Sequence, residues 1–563
     1  MLLAATLAEA APRFDGLSRV APAPNAAVLH WERAQLGKAG EKISYHIYKK
    51  EAGGWNLQTP VATVKGTDWA LVDLPAGVTQ EYIVRAADST GEDQNKKSMT
   101  VTPSGKQPEV EWRAIWVTRF EWPDGSQEKI QSDMRHGFAA FAAGNFNAVI
   151  FQVRGQGDTL YPSKDEPWSP LITARNWDPV AFATSEAHKN GLQFHAWINL
   201  STIWQSGDHK LPSNSSHPFY RFADSRYPDK CKGLIHDGGG KPKQWGSNNY
   251  VWLTPGNPEV NAYLRKQVMD FLNKYQVDGL HWDDNTANPN GVSKDPVSVE
   301  RFAGRGNPMK IKGFGDWQRD QLTRLISDIY VQGKAKQPQL LVTASPFGIE
   351  DNSRIPGYDR FSDSETFGTT PEAWMRQGVV DGLIPQVYWD LPDPEPNYAT
   401  LVEDWLSHNP APQRPIWPGT NLGKYGAEQP LIPMQQRYVA ICRSLGISGV
   451  TFFSWSKTTD AQWAADGKKL FPTKAAVPKF PHLIAEGQIM GFVGTKQNKA
   501  VVDGWVHLQG QPYVYLTSGD GFFGIPHLQP GSYTVEIELP SGRKLTKSAN
   551  VAPGKTVVLT VVE

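Results

Sequence analysis

Eight short apolar runs between Trp112 and Pro472 constrain this chain more than anything else in it. They are RAIWVTR (113–119), FNAVIFQVR (146–154), LQFHAWINL (192–200), VDGLHWDD (277–284), QLLVTASPF (339–347), VDGLIPQVYW (380–389), RPIWPGTN (414–421) and ISGVTFFSW (447–455). Stretches of helical period, such as VNAYLRKQVMDFLNKYQ and DWQRDQLTRLISDIYVQGKA, lie between them. Continuous apolar runs mark strands buried on both faces, as in parallel sheets covered by helices. Eight such strands in strict alternation with helices predict an α/β fold, a (β/α)8 TIM barrel over residues 109–472. A doubly wound open sheet is the rival, but no G-x-G-x-x-G turn stands at a strand–helix junction.

The period is different on either side. AAVLHWER, ISYHIYKKE, WALVDL and QEYIVRAAD alternate apolar and polar residues between Gly, Pro and Asp. This predicts a small β-sandwich over 13–105, resembling a fibronectin type III module. TPSGKQPEVEW reads as a linker. Residues 484–563 are β-rich again, and DGFFGIPHLQPGSYTVEIEL resembles a transthyretin-like or Ig-like sandwich. Residues 1–12 hold a short apolar run and an A-x-A-like site at Ala8-Glu9-Ala10, read as the remnant of an export signal. That places the protein in the periplasm, at the cell surface or outside the cell.

Charge and motifs narrow the chemistry. Lys+Arg and Asp+Glu both number 57, a balance that speaks against nucleic acid and for a neutral or weakly charged ligand. Two cysteines, Cys231 and Cys442, make no disulfide framework, and no apolar run is long enough for a membrane span. There is no H-E-x-x-H, Cys pair or H-x-H, so neither metal nor organic cofactor is expected. QVRGQGD (152–158) lacks the phosphate-loop pattern, and the nucleophile elbow G-x-S-x-G is missing. Oligomeric state is not legible.

In barrel enzymes the chemistry sits at the C-terminal strand ends, and strand alternation says which residues point there. In VDGLHWDDN, Leu280 and Trp282 suit the helix layer, leaving Gly279, His281 and Asp283 inward, with Asp283 at the mouth and Asp284 opening the loop. The same reading turns Gln152 and Arg154 inward on the second strand, and His195, Trp197 and Asn199 on the third. Gln386, Tyr388 and Asp390 follow on the sixth, with Trp389 beside them. Trp116, Trp417 and Trp455 make floor or wall. The barrel segment holds 17 of the chain's 21 tryptophans. Polar groups interleaved with aromatic planes suit a carbohydrate, whose hydroxyls need fixed partners and whose C–H faces stack on rings. An acid at a parallel strand end is hard to explain by packing, since burying it unpaired is costly. Asp283 is the central candidate, and the bland reading pairs it with Arg154.

WRAIWVTR, FNAVIFQVRGQGDTLYPS, GLQFHAWIN, VDGLHWDDN, SPFGI, VDGLIPQVYW and GVTFFSW occur here in an order that resembles the glycosyl-hydrolase-like family ten (the domain-of-unknown-function 187 group). The resemblance spans the whole barrel. It implies an exported bacterial (β/α)8 protein, often with extra β modules. One branch of that family includes a glycosidase of peptidoglycan strands stripped of their peptides. The long stretch from Ser201 to Thr254 after the third strand is expected to shape the cleft.

Glycoside cleavage needs an acid for the leaving oxygen and a second carboxylate as nucleophile or base. Two arrangements fit. In one, Asp283 is nucleophile or base and the acid is Asp390 or Glu350. In the other, Asp283 and Asp284 act together on an N-acetylated sugar, one orienting the attacking acetamido group and the other serving as acid/base, with mutual repulsion keeping one protonated. A third reading is a non-catalytic carbohydrate-binding or scaffold protein on a degenerate barrel.

Overall fold

The computed structural model describes residues 11–36, 42–283, 292–391, 395–422 and 432–563. Its centre is an eight-stranded parallel sheet. The strands are β1 (Trp112–Val117), β2 (Ala148–Arg154), β3 (Gln193–Ile198), β4 (Gly279–Trp282), β5 (Leu341–Ala344), β6 (Gly382–Leu383), β7 (Gly419–Asn421) and β8 (Gly449–Phe453). Each pairs in parallel with the next from β1 to β6, and β8 pairs with both β1 and β7. Between β6 and β7 the pairing is reduced to isolated parallel bridges, Leu383 with Ile416 and Gln386 with Gly419. Those bridges close the sheet on itself, which excludes the open doubly wound sheet. The sixth and seventh runs are short because Pro385, Pro415 and Pro418 have no N–H to give. Their carbonyls still accept: Leu383 N–H bonds to Pro415 at 3.0 Å and Gly419 N–H to Pro385 at 2.9 Å.

Eight helices follow the eight strands in turn: α1 (Gln127–Ala143), α2 (Pro179–Lys189), α3 (Pro258–Lys274), α4 (Phe314–Lys336), α5 (Pro371–Gln377), α6 (Tyr398–Ser407), α7 (Ile432–Ser444) and α8 (Asp460–Leu470). The local sequence sets their starts. Asp178-Pro179 and Asn257-Pro258 place a capping side chain before a proline that needs no hydrogen bond in the first turn.

Before the barrel lie two antiparallel sheets, one of Leu17–Ala23, Ala26–Trp31 and Asp68–Leu71, the other built around Ser44–Glu51 and Gln80–Asp88. The Trp31 ring lies 5.4 Å from that of Tyr45, so the sheets share a core. After the barrel lie two more sheets. One contains Trp505–Leu508 and Gly531–Glu538, and the other pairs Gly487–Gly494 with Phe522–Leu528 and Thr556–Val562. They sit on α4, where Arg324 donates to the Val514 carbonyl at 2.7 Å and Tyr513 to Asp320 at 2.8 Å. Among the described residues, no helix is long and apolar enough to cross a membrane.

Candidate active site

Inward-facing residues fill the barrel in layers. At the bottom, Trp112 and Trp417 stack at 4.5 Å, and His195 meets Trp112 edge-on at 4.9 Å. His195 has room because its neighbour across the ladder is Gly279, where a Cβ would stand 2.0 Å from Nδ1. One layer up, the indole of Trp116 donates to His281 Nε2 at 3.1 Å. An indole nitrogen can only donate, so the His281 proton lies on Nδ1, which donates to Thr343 Oγ1 at 2.9 Å. Both histidines are wholly buried. Burial pushes His195 down to about 4 and His281 well below the usual histidine range, so both are neutral.

Above this layer, at the C-terminal strand ends, a cavity of about 340 Å³ opens. Trp116 forms its base. Gln152, Trp197, Asn199, Asp283, Ser345, Gln386 and Tyr388 stand around it, joined by Thr118–Glu121 after β1 and by Phe453, Ser454, Ser456 and Lys457 at the end of β8. Tyr250 comes from the long segment after β3, where Thr202–Gln205 pairs with Tyr250–Trp252. Asp283 is half-buried, and its Oδ1 accepts from Gln386 Nε2 at 3.1 Å. Trp197 donates to Asn199 Oδ1 at 2.7 Å, which fixes both side chains in the wall.

Of the residues singled out from the sequence, Trp116, Gln152, Trp197, Asn199, Asp283, Gln386 and Tyr388 meet in this cavity. The others lie elsewhere, for identifiable reasons. Arg154 is displaced by an irregularity in the β2–β3 register, where Gln152 pairs with Trp197 but Arg154 with Ile198. It forms a buried two-pronged bond with Glu166, at 2.8 and 2.7 Å, so its ion-pair partner is Glu166 and not Asp283. His195 and Trp417 do point inward, but in the bottom layer. His281 lies below the cavity and reaches its lining through Trp116 and Ser345, each 3.1 Å from Nε2. Trp389 packs edge-on against Phe347. Trp455 lies past the end of β8 and turns to the helix layer, where a Cβ on Gly137 of α1 would come within 2.5 Å of it.

Two acid candidates also fall outside the described lining. Asp390 accepts from Tyr438 of α7 at 3.0 Å. Glu350 is tucked under α5, with Oε1 facing the Glu372 N–H at 3.4 Å and Oε2 buried without a partner; burial pushes it up to about 8. Asp284 lies outside the described residues.

Sequence reasoning passed over Glu121. Its Oε2 accepts from the Thr118 N–H at 2.6 Å, and its Oε1 from Ser454 Oγ at 2.6 Å and from Ser456 N–H and Oγ, both at 2.8 Å. Four donors around one carboxylate fix its position. Glu121 thus clamps the loop after β1 to the loop after β8. The available signal was position alone: Glu121 stands two residues past the first apolar run, where barrel loops carry function. Among the described residues, His30, Asp68 and Glu403 bring ligand atoms within 4.8 Å of one another, but in the N-terminal sheets and α6, away from the cavity.

The sequence pattern of a family described as Glycosyl hydrolase-like 10 matches residues 111–421. The chain is 26% identical over 348 residues to the glycosyl hydrolase DigH of Escherichia coli K12, covering 55% of this chain and 74% of that protein. It is 25% identical over 332 residues to the glycosyl hydrolase YngK of Bacillus subtilis strain 168, covering 55% and 60%. The glycoside hydrolase domain of PgaB (BpsB) from Bordetella bronchiseptica aligns with 65% of this chain and 99% of its own, at 15% identity and a TM-score of 0.45.

Proposed function

Since the chain belongs to the glycosyl hydrolase-like 10 family, we propose that it is a glycoside hydrolase that cleaves an oligo- or polysaccharide through Asp283. The carrying observation is Asp283 itself, a carboxylate at the end of β4, oriented by Gln386 and facing a cavity walled by Trp116, Trp197, Tyr250 and Tyr388. A sugar ring between such walls stacks on aromatic planes while Gln152, Asn199 and Gln386 offer hydrogen bonds to its hydroxyls. Asp283 then supplies negative charge beside the anomeric carbon, where an oxocarbenium-like transition state develops positive charge.

The partner carboxylate is the open half of the mechanism. Asp390 and Glu350 are each engaged away from the described cavity lining. Glu121 has both oxygens engaged by Thr118, Ser454 and Ser456 and serves as a clamp between two loops. This favours the adjacent Asp284 as partner and, with it, acetamido-assisted cleavage of an N-acetylated sugar. Peptidoglycan glycan strands are the candidate substrate that the family resemblance brings, and the site of action would be outside the cytoplasm. The outer sheets, in this reading fibronectin-like and transthyretin-like supports, carry no chemistry.

The test is the release of new reducing ends from a panel of polysaccharides, with Asp283→Asn as the control. The swap is nearly isosteric, so binding should persist while kcat falls by roughly a thousandfold or more. A folded Asp283→Asn protein that cleaves at the parent rate would overturn the assignment. Binding without any cleavage by the parent protein would leave a carbohydrate-binding scaffold instead.

A further inference from the structure

Arg119 poses an electrostatic problem. The residue is 3% exposed and lines the cavity, yet among the described residues its guanidinium forms no ion pair and no hydrogen bond. It lies over the Phe120 ring at 4.6 Å, and a Cβ on Gly155 would stand 2.8 Å from its Nη1. The hydrogen bonds of the nearby acids go elsewhere. Glu121 is filled by Thr118, Ser454 and Ser456, and Glu166 by Arg154 and Tyr263. Asp158, which also borders Gly155, accepts from the Gln156 N–H at 3.1 Å. A guanidinium packed into the protein wall with no counter-charge bonded to it is unfavourable, and the Arg119 nitrogens stay reachable from the cavity, where a ligand can supply that counter-charge.

The setting adds a direction. Lys457 stands at the rim of the same cavity, on the loop that Glu121 ties to the Arg119 loop. β1 and β8, which carry these two cations, are neighbours, whereas β4, which carries Asp283, lies three strands round the barrel from β1. Both cations therefore sit on one side of the cavity, with the clamped Glu121 between their loops, and Asp283 sits on another. Whole-chain neutrality hides this, because a local field depends on where charges sit and not on their sum.

We propose that Arg119, with Lys457 at the rim, recognises an oxyanion on the glycan, a sugar carboxylate before all others, so that the protein acts on an acidic glycan. The inference rests on the cavity being the glycan site. A guanidinium offers a planar fork that matches a carboxylate in two-pronged fashion. An anion held on this wall is also kept away from Asp283, which avoids repulsion at the reacting centre.

The test uses the Asp283→Asn protein as the binding form, so that it does not depend on turnover. Calorimetry compares oligogalacturonate, oligoalginate, hyaluronan and N-acetylmuramate-containing oligosaccharides with their carboxyl-reduced counterparts, and adds a sulfated galactan. At least one acidic glycan should bind roughly 10- to 100-fold tighter than its reduced form, the range expected for a hydrogen-bonded charge pair. That preference should shrink with added salt, fall a few-fold in Lys457→Gln, collapse in Arg119→Gln and survive in part in Arg119→Lys. The salt and Lys457 results hold the proposal to account if the Arg119 variants do not fold. Tighter binding of the sulfated galactan alone would support an ester sulfate as the oxyanion. If no acidic glycan outbinds its reduced form and the sulfated one gains nothing, the proposal is overturned. Hydrolysis by the parent protein is scored separately. An acid preference without cleavage sinks the hydrolase reading and leaves this subsite standing, and equal cleavage of acidic and reduced chains does the reverse.

Discussion

Gln386 Nε2 lies 3.1 Å from Asp283 Oδ1 and 3.1 Å from the Ser345 carbonyl oxygen. The amide of a strand-six residue is thus anchored to strand five while it orients the strand-four carboxylate. Replacing Gln386 with Ala should lower kcat about tenfold to a hundredfold, the usual range for losing one hydrogen bond to a charged group. Steady-state kinetics with circular dichroism checks this. A folded variant with unchanged kcat would show that the contact does not matter to the chemistry.

The partner carboxylate can be found by leaving-group dependence. Asp284→Asn, Asp390→Asn and Glu350→Gln should be assayed on an activated aryl glycoside and on a natural glycan. Loss of a general acid penalises the poor leaving group far more than the good one. Asp284→Asn is expected to show that asymmetry and Asp390→Asn to leave rates near parental. The reverse pattern would return the acid to strand six.

Arg154 supplies a stability prediction. It is buried, and Glu166 keeps it charged despite the cost of burial. Arg154→Met strands the Glu166 charge, and breaking a buried pair typically costs about 3–5 kcal/mol. Thermal denaturation should show a large drop, partly recovered by adding Glu166→Leu. An Arg154→Met protein with parental Tm but a raised KM would instead make Arg154 a substrate contact.

Glu350 gives a pH dependence whose sign can be worked out. Its folded pKa, about 8, lies above the ordinary 4.5 because burial disfavours the charged form. Between these values the folded chain holds a proton that the unfolded chain has lost. The protonated carboxyl is therefore fully compatible with folding below about pH 4.5, and stability falls as pH rises through 8. Glu350→Gln should raise Tm by a few degrees at pH 8 to 9, with the gain vanishing toward pH 4.5. A gain that grew on acidification would contradict the burial argument.

The barrel was legible because parallel strands covered by helices on one face and packed inside on the other leave nearly continuous apolar runs. Alternation along those runs then picked out Gln152, Trp197, Asn199, Asp283, Gln386 and Tyr388, all of which the fold brings to one cavity. Alternation alone could not give depth, so His195 and Trp417 face inward but sit at the bottom. Nor could it foresee the irregular register that diverts Arg154, or that β8 stops at Phe453 and leaves Trp455 to the helices. Glu121, Arg119 and Lys457 lie at or beyond strand ends, where no period betrays which way a side chain turns.

Trp116 is tied to His281, and beneath it Trp112, Trp417 and His195 fill the barrel axis. Among the described residues the chamber is therefore closed at its bottom, so a ligand enters and leaves at the strand ends. On the proposed glycosidase reading, short cleavage products held on the Trp116 floor should compete with substrate for the same opening.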